Sequence, residues 1–181
     1  MFYRLITATA CVLLLAGCEQ AGPLDSIASV TGPSSLATKP VDVPFSGVVI
    51  GEAVFDFVNN PKACAATFTT ITTAKGEALH MGLTTWQSQH CLGPANDILD
   101  AELVLTAADG DAVHATYTGS CVGTGVVGEL IICTGNAVFS GGTGRFENAS
   151  GTAGWRGAIV FEGFGDFSWS GRWEWKGSIR Y

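Results

Sequence analysis

The sequence predicts an all-β domain, an eight-stranded antiparallel β-barrel with a two-sheet β-sandwich as its alternative, behind a signal peptide and a flexible tether. Three observations carry that prediction. Glycine is abundant, 24 of 181 residues, and threonine recurs in the apolar stretches; this is a composition of short strands and tight turns. From Phe45 onward the chain divides at turn signals into eight β-like stretches. The last stretch alternates strictly: Phe167, Trp169, Gly171, Trp173, Trp175, Gly177, Ile179 and Tyr181 interleave with Ser168, Ser170, Arg172, Glu174, Lys176, Ser178 and Arg180. A period of two puts the aromatics on one face and the charges on the other, as a half-buried strand requires.

In chain order, residues 45–58 form the first stretch and stop at Asn59-Asn60-Pro61. Residues 64–73 are rich in β-branched side chains and turn at Lys75-Gly76 into 77–91. The run from Gly93 to Asp97 breaks that strand before 98–107, and Asp109-Gly110 is a two-residue hairpin signal leading into 111–120. Glycines 123 and 125 mark a loop before 129–140, and Gly141-Gly142-Thr143-Gly144 separates that strand from 149–161. The segment from Gly163 to Asp166 opens the final strand. Eight antiparallel strands are enough to close a barrel, which pairs the first strand with the last and removes both edges.

Before Phe45 the chain has another character. A single charge, Arg4, precedes an apolar run from Leu5 to Leu15 that ends in Ala16-Gly17-Cys18. A membrane-crossing helix needs about 20 apolar residues, so a run of this length reads as an export signal over residues 1–17. Leu15-Ala16-Gly17-Cys18 resembles a bacterial lipobox. The resemblance implies that Cys18 becomes the first mature residue, carries acyl chains and holds the protein on a membrane; Glu19 behind it implies the outer membrane of a cell envelope. Residues 18–44 hold Pro23, Pro33, Pro40 and Pro44 among small polar residues, the composition of an extended tether. The barrel domain is then 45–181.

Removal of Arg4 leaves the mature chain one unit more acidic than the −7 of the whole, and its eight cationic residues do not cluster, so nucleic-acid binding is not expected. Four cysteines remain, Cys64, Cys91, Cys121 and Cys133. In an oxidising compartment they read as two disulfides, with three pairings open. A hairpin turning at Lys75-Gly76 favours Cys64 with Cys91, and closure of the glycine-rich loop favours Cys121 with Cys133. None of the four has the close spacing of a zinc site.

Four segments in order, GEALHMG (76–82), LTAADGDAVHATYTG (105–119), FSGGTGRFENASGT (139–152) and GSIRY (177–181), resemble a group of exported bacterial proteins. That group is similar to the allene oxide cyclase and dirigent superfamily of eight-stranded antiparallel barrels. The resemblance covers 45–181 and implies the fold without implying an activity. The glycines of GGTGRF permit backbone angles closed to other residues; Arg145-Phe146 is expected to make one tight turn, with Phe146 plugging a barrel end and Arg145 paired or solvated.

No nucleophile elbow, nucleotide fingerprint or Cys–His pair is found, and no cofactor or metal is expected. His80 is the best polar candidate, His90 at a strand end is expected to be exposed, and His114 to face solvent. The carboxylates Glu52 and Asp56 share a face, as do Asp100 and Glu102. Trp155, Trp169, Trp173 and Trp175 either fill the core or line a mouth. The ligand cavity, if the barrel keeps one, is assigned to His80, Glu52, Trp169 and Trp173. The reading is a non-catalytic, lipid-anchored envelope protein that binds a small apolar ligand or a surface protein. Its alternatives are a cyclase-like enzyme that uses the cavity and a purely structural lipoprotein.

Overall fold

The computed structural model describes residues 41–181. The expected signal segment, Cys18 and most of the tether lie outside the described residues. Eight strands follow one another: β1 (Val43–Asp56), β2 (Thr69–Ala78), β3 (Gly82–Leu92), β4 (Asp97–Ala107), β5 (Ala112–Val122), β6 (Leu130–Gly142), β7 (Ser150–Gly163) and β8 (Ser168–Arg180). Each pairs antiparallel with the next, and β8 returns to β1 through twelve registered positions from Val43↔Ile179 to Val54↔Ser168. The barrel, not the sandwich, is the fold.

Alternation explains why these residues form these strands. On β1, Phe45, Val49 and Ala53 face the interior while Ser46, Val48, Ile50 and Glu52 face out. On β8, Trp173, Trp175 and Ile179 are buried between exposed or half-exposed Arg172, Glu174 and Arg180. A slip of one residue would turn each set inside out, so the hydrophobic pattern and the register fix one another. All eight strands, the core and both disulfides lie within 41–181, which makes this part of the chain a folding unit in itself.

One turn is not where the sequence suggested. Lys75 and Gly76 lie inside β2, opposite Ile50 and Val49, and the chain reverses at Leu79–Met81 instead. Gly76 serves a close strand approach: a Cβ there would sit 1.9 Å from the Val48 carbonyl oxygen. His80, with φ of 70°, takes the left-handed position of the real turn. The expected cysteine pairs nevertheless form, Cys64–Cys91 and Cys121–Cys133. Moving the turn by a few residues leaves the start of β2 beside the end of β3, with Thr70 opposite His90.

The two ends of the barrel differ. One carries the short β2–β3, β4–β5 and β6–β7 connections together with both termini of the described chain. It is sealed by a one-turn 3-10 helix, Gly144–Phe146. Phe146 is fully buried, its ring edge-on to Tyr181 at 4.9 Å, and the Arg145 guanidinium lies 4.6 Å above it. Arg145 donates to Asp111 at 2.9 Å, to Asp109 and to the His80 carbonyl at 3.3 Å. Gly144 lets this happen, because a Cβ there would overlap the Asp111 carboxylate. The other end carries the β1–β2, β3–β4, β5–β6 and β7–β8 loops and both disulfides.

Candidate ligand cavity at the open end

The interior is not filled along its whole length. Toward the disulfide-bearing end a cavity of about 200 Å³ remains inside the barrel. Its deepest lining comes from mid-strand residues, Trp86 opposite Ala74 and Trp173 opposite Val49. From there the lining runs outward to exposed Asn96, Thr124 and Gly125 in the β3–β4 and β5–β6 loops, so the cavity reaches the surface. Around the mouth Phe55 stacks on Phe68 at 4.1 Å and leans on Trp169 at 4.2 Å. Phe57, Val58, Val126 and Phe164 stand exposed beyond them.

The walls are unlike. Strands β2 and β3 turn Thr70, Thr72, Ser88 and His90 inward, in register as Thr70↔His90 and Thr72↔Ser88. Strands β7 and β8, across the barrel, contribute Trp155, Ile159, Trp169 and Trp173. A bulge in β3 between Gln89 and Cys91 lets two neighbours be buried at once, His90 in the cavity wall and Cys91 against Cys64.

His90 belongs to a buried chain of hydrogen bonds. Its Nδ1 lies 2.8 Å from the Tyr117 hydroxyl, which donates to Ser88 Oγ at 3.2 Å. Because the phenol has one proton and gives it to Ser88, the imidazole is the donor in the first bond and keeps Nε2 as an acceptor. Burial lowers the His90 pKa to about 4 and pushes the Tyr117 hydroxyl up, so both are neutral near pH 7. Two polar atoms in this wall have no partner among the described residues: Thr70 Oγ1 and Trp86 Nε1, each in a residue only 4% exposed. A buried hydroxyl or N–H without a partner carries a penalty of about 1–3 kcal/mol.

Of the residues assigned to a cavity from the sequence, Trp169 and Trp173 line it and His80 and Glu52 do not. His80 is exposed in the β2–β3 turn at the sealed end, where Nε2 donates to the Pro44 carbonyl at 2.9 Å. Glu52 lies on the outward phase of β1. His90, expected to be exposed, is buried because β3 continues to Leu92 and its inward phase runs Thr84, Trp86, Ser88, His90. His114 is exposed as expected. Asp56 caps its own turn by accepting from Val58 and Asn59 backbone N–H groups, and those bonds hold its carboxyl below the usual range. Glu102 pairs with Lys62 at 3.1 Å outside the barrel.

Thr70 and Trp86 carry no recognisable motif, and Tyr117 lies in the 105–119 segment without any signal there of a cavity role. The period-two phase of β3, read forward from Trp86, was the one signal that pointed inward at His90. Among the described residues no group of His, Cys, Asp and Glu is arranged to hold a metal ion. No protein-family model, curated protein or solved structure matches the chain.

Proposed function

We propose that this is a non-catalytic, lipid-anchored protein of a bacterial envelope whose barrel binds a small, largely apolar molecule. The observation that carries the binding reading is the cavity: about 200 Å³, walled by four tryptophans, reaching the surface at one end only, and containing buried polar atoms without partners. A few placed polar groups in an otherwise apolar recess are the usual make-up of a small-molecule site. Anchoring is supported by Leu15-Ala16-Gly17-Cys18 behind a short apolar run, and an outer-membrane destination by Glu19. The described chain begins at the sealed end, opposite the mouth.

Native mass spectrometry of residues 39–181, purified gently from an oxidising compartment, tests the binding reading. A reproducible extra mass lost on denaturation is the expected result; a bare chain from several hosts and extraction conditions removes the carrier role and leaves a structural or protein-binding barrel. For the anchor, Cys18→Ser is expected to move the full-length protein from the membrane to the soluble fraction. An unchanged distribution overturns it.

One observation favours the cyclase-like alternative, the neutral His90 hydrogen-bonded to Tyr117 in the cavity wall. A bound compound that the protein converts and His90→Gln does not would decide for catalysis.

A further inference from the structure

We propose that the molecule held in the cavity is flat, uncharged and one to two rings in size, with a single uncharged hydrogen-bonding group set against the β2–β3 wall. The inference rests on the ligand-binding reading above and names the class of ligand.

Size comes first. An engineered apolar cavity of roughly 150 Å³ takes up benzene, so about 200 Å³ suits a substituted ring and cannot enclose a long acyl chain. Flatness follows from the β7–β8 wall, where Trp155, Trp169 and Trp173 offer broad aromatic surfaces that favour stacked or edge-on rings.

Charge is decided by what the lining lacks. Among the described residues it contains no Lys, Arg, Asp or Glu, and its ionisable members, His90 and Tyr117, are neutral by burial. An ion entering such a site leaves water and meets no countercharge, a penalty of several kcal/mol. A cluster of indoles does suit organic cations, at about 2 kcal/mol for a desolvated contact. Without a carboxylate that does not offset the loss of hydration, so a neutral ligand wins.

The polar group is placed by Thr70. Its Oγ1 is buried and unpartnered, and it stands in register with His90 on the neighbouring strand. Tyr117 is already engaged on both sides, by His90 and Ser88. Trp86 Nε1 also lacks a partner, but its indole stands edge-on to Trp173 and Trp175, ring centroids 5.1 and 4.9 Å away. Thr70 is therefore the hydroxyl donor that, turned toward the cavity, a ligand carbonyl oxygen satisfies, whereas His90 Nε2 is an acceptor and cannot. The ligand's apolar face meets β7–β8 and its polar substituent meets β2–β3.

The test uses residues 39–181 with both disulfides formed and four probes at pH 7: acetophenone, its near-isosteric hydrocarbon α-methylstyrene, benzoate and tetramethylammonium. Calorimetry and saturation-transfer NMR read binding. Acetophenone is expected to bind about tenfold tighter than α-methylstyrene, the value of one net hydrogen bond, and benzoate and tetramethylammonium at least tenfold weaker than acetophenone. In Thr70→Val the ketone carbonyl loses its donor, so acetophenone is expected to bind no tighter than α-methylstyrene and up to about tenfold weaker, whereas Thr73→Val, on the outward phase of β2, keeps the wild-type ratio. Equal binding of ketone and hydrocarbon by the wild-type protein overturns the polar-group assignment. Preference for tetramethylammonium or benzoate overturns neutrality. If Thr70→Val does not fold, Thr70→Ser is read instead; it keeps the hydroxyl and must keep the ratio, and a ratio lost there also counts against the assignment. Silence from all four probes brings down the ligand-binding reading as well, which separates that failure from the others.

Discussion

The two ends of this barrel are built from the same strands and closed by different physics. At one end a single turn drops Phe146 into the bore, and the cation above its ring is held by two carboxylates from the β4–β5 hairpin. At the other, a long β1–β2 loop and two disulfides tie neighbouring strands, while the bore between them stays partly empty. Packing does at the first end what cross-links do at the second. A protein that keeps a hole near its surface gives up the dispersion and burial a plug supplies; covalent ties offset the loss without filling the space.

The sharpest way to break this comparison is to remove an aromatic from each end. Phe146→Ala deletes a fully buried ring from tightly packed surroundings, with an expected loss of about 3–5 kcal/mol in urea denaturation. Trp169→Ala removes a larger but half-buried ring that already borders empty space, and roughly half that loss is expected. Equal losses would mean that the open end is packed as tightly as the sealed one.

Cross-links come next. Replacing Cys64 and Cys91 by Ala opens a bridge spanning 27 residues, and replacing Cys121 and Cys133 opens one spanning 12. Chain entropy alone predicts losses of about 3.5 and just under 3 kcal/mol respectively. Hydrogen exchange adds the spatial half of the prediction. In either variant, amides around the β1–β2 and β5–β6 loops are expected to exchange faster while those around Phe146 keep their protection. Uniform acceleration at both ends would show one cooperative unit with no division of labour.

The sealed end was the more readable of the two in the sequence. GGTGRF announces its turn by glycines that only special backbone angles need, Asp109-Gly110 marks the hairpin beside it, and the alternation of β8 points Trp173 and Trp175 inward. Two features beside the β2–β3 turn at that same end, and most of the open end, are harder to read from the sequence, for physical reasons. Gly76 resembles a turn glycine because a close strand approach and a tight turn both exclude a side chain. His80 drew attention as the histidine of a recognisable segment, yet its work is to brace a turn against the Pro44 carbonyl. A polar residue next to a strand end is usually solvated, which points His90 outward. A bulge and a neighbouring tyrosine reverse that, and neither is visible in a local window. Thr70 became a candidate only once the register set it beside His90 at a cavity edge.

The buried imidazole makes the open end respond to acid. In the unfolded chain His90 titrates near its ordinary pKa of about 6.5; in the barrel burial lowers it to about 4. Between those values the unfolded state holds a proton that the folded state refuses. The contribution is complete above pH 6.5 and is lost as pH falls toward 4, by up to about 3 kcal/mol. His90→Gln, which retains a hydrogen-bonding partner for Tyr117, is expected to flatten the urea midpoint between pH 7 and 4.5. A profile as steep as the wild type would place the acid sensitivity elsewhere.

The smallest effect has the opposite sign. Thr70→Val replaces a buried hydroxyl that has no partner among the described residues with a methyl of nearly the same shape. An unsatisfied polar group is a penalty that an apolar isostere removes, so the empty protein is expected to gain about 1 kcal/mol and a few degrees in melting temperature. That gain would accompany the loss of ketone-over-hydrocarbon discrimination, and the pairing matters more than either number. A hydroxyl kept at a cost to stability and needed for selectivity belongs to a site; one whose removal destabilises the barrel is structural, hydrogen-bonded in solution by an ordered water. Nothing comparable is expected at the sealed end. Phe146 is already surrounded by aromatic and apolar contacts, and the polar groups around it answer one another.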